Sequence, residues 1–284
     1  MSLLDLPDVR AFQRPTWLAF EAPQQSVEQF DPSMVAAESE DDTVIALYGQ
    51  IGVDPFSSVD NSERRISRAL RAIGNKDISV NINSPGGNFF SGLAIYNLLR
   101  MHPAKVTVNV IGMAGSAASV VAMAGDEILM ADGAQIMVHN GSGVIVGNKF
   151  DTAEATEILT EIDAGMAEIY AARAGVEVSE AAAWMDRGKG SGTFFNVSRA
   201  LEKGLATGKM DRAAVVACAE EPKPAPAERV LENALITGCN MSPKEAKAYV
   251  SNFKAGTRDA SADVTRDADT IREAIQALRE TIAS

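Results

Sequence analysis

The stretch Gly112-Met113-Ala114-Gly115-Ser116-Ala117-Ala118-Ser119 constrains this chain more than any other, because it joins a strand-patterned run to a helix-patterned one through residues of minimal size. Lys105 to Ile111 alternates β-branched and polar residues, as a strand does, while Ala117 to Ala124 is compact, apolar and helix-compatible. Ser116 falls between them. Glycines at 112 and 115 permit tight turning and close backbone approach, and a helix starting near Ser116 aims free N–H groups at whatever lies above the hydroxyl. Such a strand-to-helix elbow exposes the serine of some hydrolases. The spacing Gly-x-x-x-Ser is not Gly-x-Ser-x-Gly, which disfavours the α/β-hydrolase fold. Taken alone, the octet is equally what a tightly packed helix start requires.

Two further segments add to it. Asp77 to Asn83 alternates as a strand, and Ser84-Pro85-Gly86-Gly87 breaks it ahead of an amphipathic helix carrying Phe89, Leu93, Ile95, Tyr96, Leu98 and Leu99. Glycines at a strand end free backbone amides to face a ligand. Where an oxyanion develops, one such donor is worth roughly 3 kcal/mol of transition-state stabilisation. By itself a Pro-Gly-Gly segment is only a turn. The chain has 2 histidines, so an imidazole base must be His102 or His139. His102, just before Pro103, reads as an exposed helix C-terminal turn where a cation suits the dipole. His139 follows the strand-like Ala134–Val138, at a strand exit. Serine, glycine turn and histidine at three strand ends together make the equipment of a serine hydrolase.

Asn81-Ile82-Asn83-Ser84-Pro85-Gly86-Gly87, then Gly112 to Ala117, then Met137-Val138-His139-Asn140, in this order and near these intervals, resemble the ClpP family of serine peptidases from about Val44 to Leu205. The resemblance implies an α/β fold with a stacked ββα core related to the crotonases. It implies Ser116 as nucleophile, His139 as general base and an oxyanion hole from the amides of Gly87 and Ala117. It also implies a protein or peptide substrate, a homo-oligomeric ring and no cofactor. The third triad member departs from the pattern: counting back from Phe194 puts Gly192 where the family has an acid. Asp186, in the loop Asp186-Arg187-Gly188-Lys189-Gly190-Ser191-Gly192, and the more distant Asp211 are the candidate orienting carboxylates. A Ser-His dyad and a backbone or amide orienter stay open beside them.

At 284 residues the chain exceeds one typical domain, and 46% hydrophobic content is ordinary for a water-exposed globular protein. A formal charge of −12 argues against a nucleic acid partner, which calls for clustered Lys and Arg. Cys218 and Cys239 have no ligand-like neighbours, which suggests reduced thiols in a cytoplasmic protein and no metal site. No basic segment followed by an apolar run opens the chain, and no stretch of about 18 uncharged apolar residues occurs, so neither a secretory signal nor a membrane span is expected.

Four segments are expected: an arm over residues 1–42, a core over 43–219, a Pro-rich linker over 220–229 and a helical extension over 230–284. The arm mixes Pro7, Pro15, Pro23 and Pro32 with an acidic run at 38–42, a poor candidate for packed regular structure and similar to a pro-segment. Thr43–Tyr48 opens the core as a strand, and Ser62 to Ile73 follows as a helix. Gly141–Gly147 suits an exposed strand or flap leading into a long helix from Asp151 to Arg173, similar to the projection through which ClpP rings stack. Ser179 is placed to cap the next helix. In the extension, Ser242 with Pro243 and Glu245 reads as a helix start, and Asp269–Ile282 has helical apolar spacing. The added arm and extension resemble the layout of phage or prophage head maturation proteases, whose partners would be capsid or scaffold proteins; an ATPase partner is not indicated either way. Two other functions fit the same residues: a crotonase-like acyl-CoA enzyme, and a non-catalytic assembly or scaffold protein, which the missing carboxylate at Gly192 favours.

Overall fold

The computed structural model describes residues 18–20, 22–32, 34–36, 42–53, 60–188, 190–210, 215–217, 227–228, 231–232, 235 and 246–251. Alternating β-branched runs form its central sheet. Strands β3 (Val44–Tyr48), β6 (Ile78–Ser84) and β7 (Val106–Gly115) lie parallel in the order β3-β6-β7. β7 is long enough to serve two neighbours. Thr107–Val110 pairs with β8 (Glu127–Met130), and Met113–Gly115 pairs with β9 (Gln135–Val138), both parallel. β11 (Thr193–Asn196) closes the sheet antiparallel to β9, and β12 (Gly208–Lys209) pairs with β8. Parallel neighbours need crossovers, and helices supply them. α2 (Glu63–Ile73) lies between β3 and β6, α3 (Phe89–Arg100) between β6 and β7, and α4 (Ala117–Ala122) follows β7 directly.

Each helix starts where its sequence offers a cap. The Ser62 hydroxyl accepts from Arg65 N ahead of α2, and Asn88 does the same for Ser91 N ahead of α3. α5 (Lys149–Ala174) opens on a capping box between Asn148 and Asp151 and ends at Gly175, whose φ of 68° is the left-handed turn a glycine tolerates. α6 (Val178–Asp186) and α7 (Val197–Glu202) follow. α6 starts one residue before Ser179, with Glu177 at the cap position, so the expected serine cap is not the one used. The core buries Leu47, Ile82, Leu93, Ile95, Tyr96, Leu99, Tyr170 and Phe195 almost completely.

Three expectations are corrected. Gly112 to Gly115 form the last residues of β7, so the chain turns at Ser116 itself. His102 is buried, its Nε2 2.7 Å from the Lys76 carbonyl oxygen, because the end of α3 packs against the approach to β6. The arm also carries regular structure. β1 (Leu18–Phe20) pairs antiparallel with β10 (Gly143–Ile145), α1 (Gln24–Gln29) follows, and β2 (Met34–Ala36) pairs antiparallel with β13 (Val215–Ala217). The short β4 (Gly52–Val53) and β5 (Asp60–Asn61) form a separate hairpin.

The chain divides into two compact units, one of Met1–Asp54 with Val59–Lys223, the other of Pro55–Ser58 with Pro224–Ser284. In the second unit, residues 246–251 are helical, with Ala246 and Val250 buried. Asp211, Cys218, Cys239, Ser242 and the run Asp269–Ile282 lie outside the described residues. Among the described residues no helix is long and apolar enough to cross a membrane.

Candidate active site

Ser116 stands where β7 ends and α4 begins. Its φ of 51° is the only positive value at a non-glycine among the described residues, a conformation that serine adopts at a cost and that the surrounding structure must hold in place. Hydrogen bonds to its backbone hold it, and Tyr170 backs one of them. Ser116 N donates to Met137 O of β9 at 3.0 Å. Ser119 Oγ donates to Ser116 O at 2.6 Å, and the same Oγ lies 2.8 Å from the Tyr170 hydroxyl in full burial. Burial pushes the Tyr170 phenol well above its ordinary range, so it stays protonated and able to donate to Ser119. Ser119 is therefore structural, fully buried with its hydroxyl engaged by Ser116 O and Tyr170.

His139 leaves the end of β9, and its Nε2 lies 2.7 Å from Ser116 Oγ. This is the contact that a nucleophile and its base must make. Desolvation lowers the imidazole's pKa from 6.5 to about 4, opposed by a backbone hydrogen bond at Asn140. The ring is neutral at pH 7 and has an open nitrogen lone pair for the hydroxyl proton.

The glycine turn packs directly on the serine. A Cβ at Gly86 would stand 2.5 Å from Ser116 Cβ and 3.1 Å from its Oγ, so only glycine fits. Ile51 N bonds to Gly86 O and Asn88 N bonds to Ile51 O, which leaves the Gly87 amide outside that pairing. Ala117, as the first residue of α4, has an N–H with no acceptor inside the helix.

The expected orienting acids sit differently. Asp186, exposed at the end of α6, accepts from Asn140 Nδ2 at 2.8 Å, so it reaches the histidine's neighbour and not its ring. Gly192, where the sequence resemblance expects an acid, has φ +85°, and a Cβ there would overlap the Val138 carbonyl oxygen and stand 2.5 Å from His139 Cβ. Its lack of a side chain lets β11 lie against the histidine's backbone. A carboxylate missed in the sequence is Asp163 of α5, whose Oδ1 accepts from Gly141 N at 2.6 Å. Burial, with the charge of Asp186 adding to it, pushes Asp163 up to about 6. Nothing in its sequence context distinguishes Asp163 from the other acids of a long, charged helix. The segment His139-Asn140-Gly141 is thus gripped from two sides, at Asn140 by Asp186 and at Gly141 by Asp163. Among the described residues no group of three or more His, Cys, Asp or Glu could hold a metal ion.

Comparison with known proteins gives the family. The family model described as Clp protease matches residues 54–212. The chain belongs to the Clp protease family. It is 34% identical over 133 residues to "ATP-dependent Clp protease proteolytic subunit 3" of Rhodococcus jostii, covering 46% of this chain and 63% of that one. It is 39% identical over 98 residues to the ATP-dependent Clp protease proteolytic subunit of Deinococcus radiodurans, covering 34% of this chain and 48% of that one. The chain thus spans less than two thirds of the length of either relative. With the subunit of Ligilactobacillus salivarius the identity is 30% over 179 residues, 62% of this chain and 81% of the relative. The solved structure of a ClpP1 point mutant from Listeria monocytogenes aligns with a TM-score of 0.49 at 20% identity, over 60% of this chain and 92% of that one.

Proposed function

We propose that this chain is a serine endopeptidase that cleaves proteins or peptides through an acyl-enzyme on Ser116. The observation that carries the reading is the 2.7 Å contact between a neutral His139 Nε2 and the Oγ of a strained, buried Ser116. As Ser116 Oγ bonds to the scissile carbonyl carbon, its proton passes to His139 Nε2. The carbonyl oxygen becomes an oxyanion and accepts from the amides of Gly87 and Ala117. Collapse breaks the C–N bond, and the imidazolium returns the proton to the departing amine. Water then attacks the ester with His139 again taking the proton, and release of the acid restores Ser116. Ser116 and His139 act as a dyad in contact. Asp186 and Asp163 are positioning residues that hold the imidazole through Asn140 and Gly141.

The working form we assign is a cytoplasmic homo-oligomer, and a ring suits an enzyme that must shield its sites. Its support is a run of exposed apolar side chains from β10 to the start of α5: Val144, Val146 and Phe150 are 52%, 75% and 71% exposed. The arm and extension favour a capsid or scaffold protein of a phage or prophage head as substrate. A fluorophosphonate probe followed by mass-spectrometric mapping tests the chemistry. Ser116 is expected to carry the adduct, with Ser116→Ala unlabelled and His139→Ala labelled far more slowly. A well-folded protein without a Ser116 adduct overturns the peptidase reading and leaves the scaffold one.

A further inference from the structure

The arm lies across the site. β1 pairs with β10, the strand four residues beyond His139, in the register Leu18↔Ile145, Ala19↔Val144 and Phe20↔Gly143. Four residues further on, α1 begins, and it inserts Ser26, which is fully buried. Its Oγ donates to Pro85 O of the glycine turn at 2.7 Å and lies 3.3 Å from Met113 Sδ. It also fills the space beside Gly115, the residue before the nucleophile: a Cβ there would collide with Ser26 Oγ and stand 2.9 Å from Pro85 O. Beyond α1, Asp31 O accepts from Asn83 Nδ2 at 2.7 Å, just ahead of the same turn. A cleft of about 510 Å³ runs between Pro23, Gln24, Gln25 and Glu28 of the arm and His139, Ser142, Gly190 and Ser191 of the core. With the arm in place Ser116 is 9% and His139 5% exposed.

A peptide bond cut by Ser116 has to lie with its flanking residues extended past the glycine turn on one side and the strand leaving His139 on the other. Extended peptides bind by adding a strand to a backbone edge. Both the edge of β10 and the Pro85 carbonyl are already occupied by the chain's own Leu18–Gln29. We propose that Leu18–Gln29 is an inhibitory strap that fills the peptide-binding edge in cis, and that turnover requires its displacement or removal. The inference rests on the peptidase reading.

The test uses the full chain with Ser26→Arg, whose side chain cannot fit the buried space beside Gly115, and Ser26→Ala, which loses only the hydrogen bonds. Three readouts are followed: the rate of fluorophosphonate labelling at Ser116, hydrogen exchange at the amides of Gly143–Ile145, and exchange at Val80–Ile82 and Val108–Val110 as a report on the core. Where a binding-competent state is a minor population, raising that population raises the apparent rate in proportion, so Ser26→Arg is expected to label about tenfold faster and Ser26→Ala by a smaller factor. Exchange at Gly143–Ile145 should rise while the core stays protected. A synthetic peptide of residues 18–31 added to Ser26→Arg should slow labelling and restore protection at Gly143–Ile145. If Ser26→Arg loses core protection, Ser26→Ala with and without the peptide decides the matter by the same readouts. Unchanged labelling and unchanged exchange overturn the strap. Faster exchange at Gly143–Ile145 with unchanged labelling leaves the arm docked but not inhibitory, which also overturns it. If neither wild type nor variant labels at Ser116, the peptidase reading falls, and the exchange and peptide data still report whether the arm occupies the edge.

Discussion

Gly192→Asp, which sets a carboxylate where the sequence resemblance expects one, should damage the protein. The backbone there has φ +85°, in the left-handed region that costs a non-glycine residue about 1–2 kcal/mol. A Cβ would also overlap the Val138 carbonyl oxygen and stand 2.5 Å and 2.7 Å from His139 Cβ and Cα. Its neighbours are backbone atoms of paired strands, β9 against β11, which have little freedom to move aside. Overpacking of this kind typically costs a further 1–3 kcal/mol, so the total is roughly 2–5 kcal/mol, a large part of the roughly 5–15 kcal/mol that stabilises a domain. Because the penalty arises at the Cβ, Gly192→Ala and Gly192→Asp should lose similar stability. Urea denaturation followed by circular dichroism at fixed protein concentration measures it. Turnover of a fluorogenic peptide under folding conditions should fall in both variants, since the displaced atoms belong to the histidine's own backbone. Wild-type stability in Gly192→Asp, or turnover above that of Gly192→Ala by an order of magnitude, would refute this account of why a glycine stands there.

Other expectations can be checked alongside. His139→Ala should lower kcat by about three or more orders of magnitude, whereas His102→Ala should leave kcat within a few-fold and lower the denaturation midpoint, because its ring only bonds Lys76 O. The acid limb of kcat/KM should fall near pH 4, since the neutral imidazole is the base and its pKa is lowered to about 4; a limb at 6.5 would show that the site opens to water before reacting. His139, with its folded pKa below 6.5, makes stability fall as pH drops from 6.5 towards 4. Asp163, raised from 3.8 to about 6, opposes this, its contribution being present at low pH and lost as pH rises through about 6. In Asp163→Asn that opposition is gone, so stability should fall more steeply with acid over this window, as read by thermal denaturation across pH. Asp186→Asn keeps a hydrogen-bonding group beside Asn140 and should lower kcat by less than about tenfold; a loss of about four orders of magnitude would instead mark it as a carboxylate acting on the ring.

Much of the core could be read from period alone. β3, β6 and β7 alternate in sequence, and α2, α3 and α5 repeat their apolar residues at helical spacing, although β6 proves to be buried along almost its whole length and not on one face alone. Ser116 and His139 were legible because their residue types recur at strand ends and imidazoles are scarce here. The supporting residues were not. Asp163 looks like any acid on a long polar helix until the loop after β9 folds onto it, and His102 looks exposed until Lys76 is brought beside it. The prolines and acids of the arm point away from packed structure, yet one hydroxyl, Ser26, meets a carbonyl 59 residues away. Such matches are made by tertiary geometry and leave no periodic trace in the chain.

The double pairing of β7, with β8 along its first half and β9 along its second, has a consequence for how the protein comes into being. Ser116 is brought to His139 only after β7 has found β9, and the turn at Gly86 is seated only after β6 has found β7. Each of these is a parallel pairing across an intervening crossover, the slow, non-local kind of contact that forms late in folding. On the proposed peptidase reading, a chain still emerging or only partly folded therefore has no assembled nucleophile. Catalytic competence doubles as a certificate that the sheet is complete.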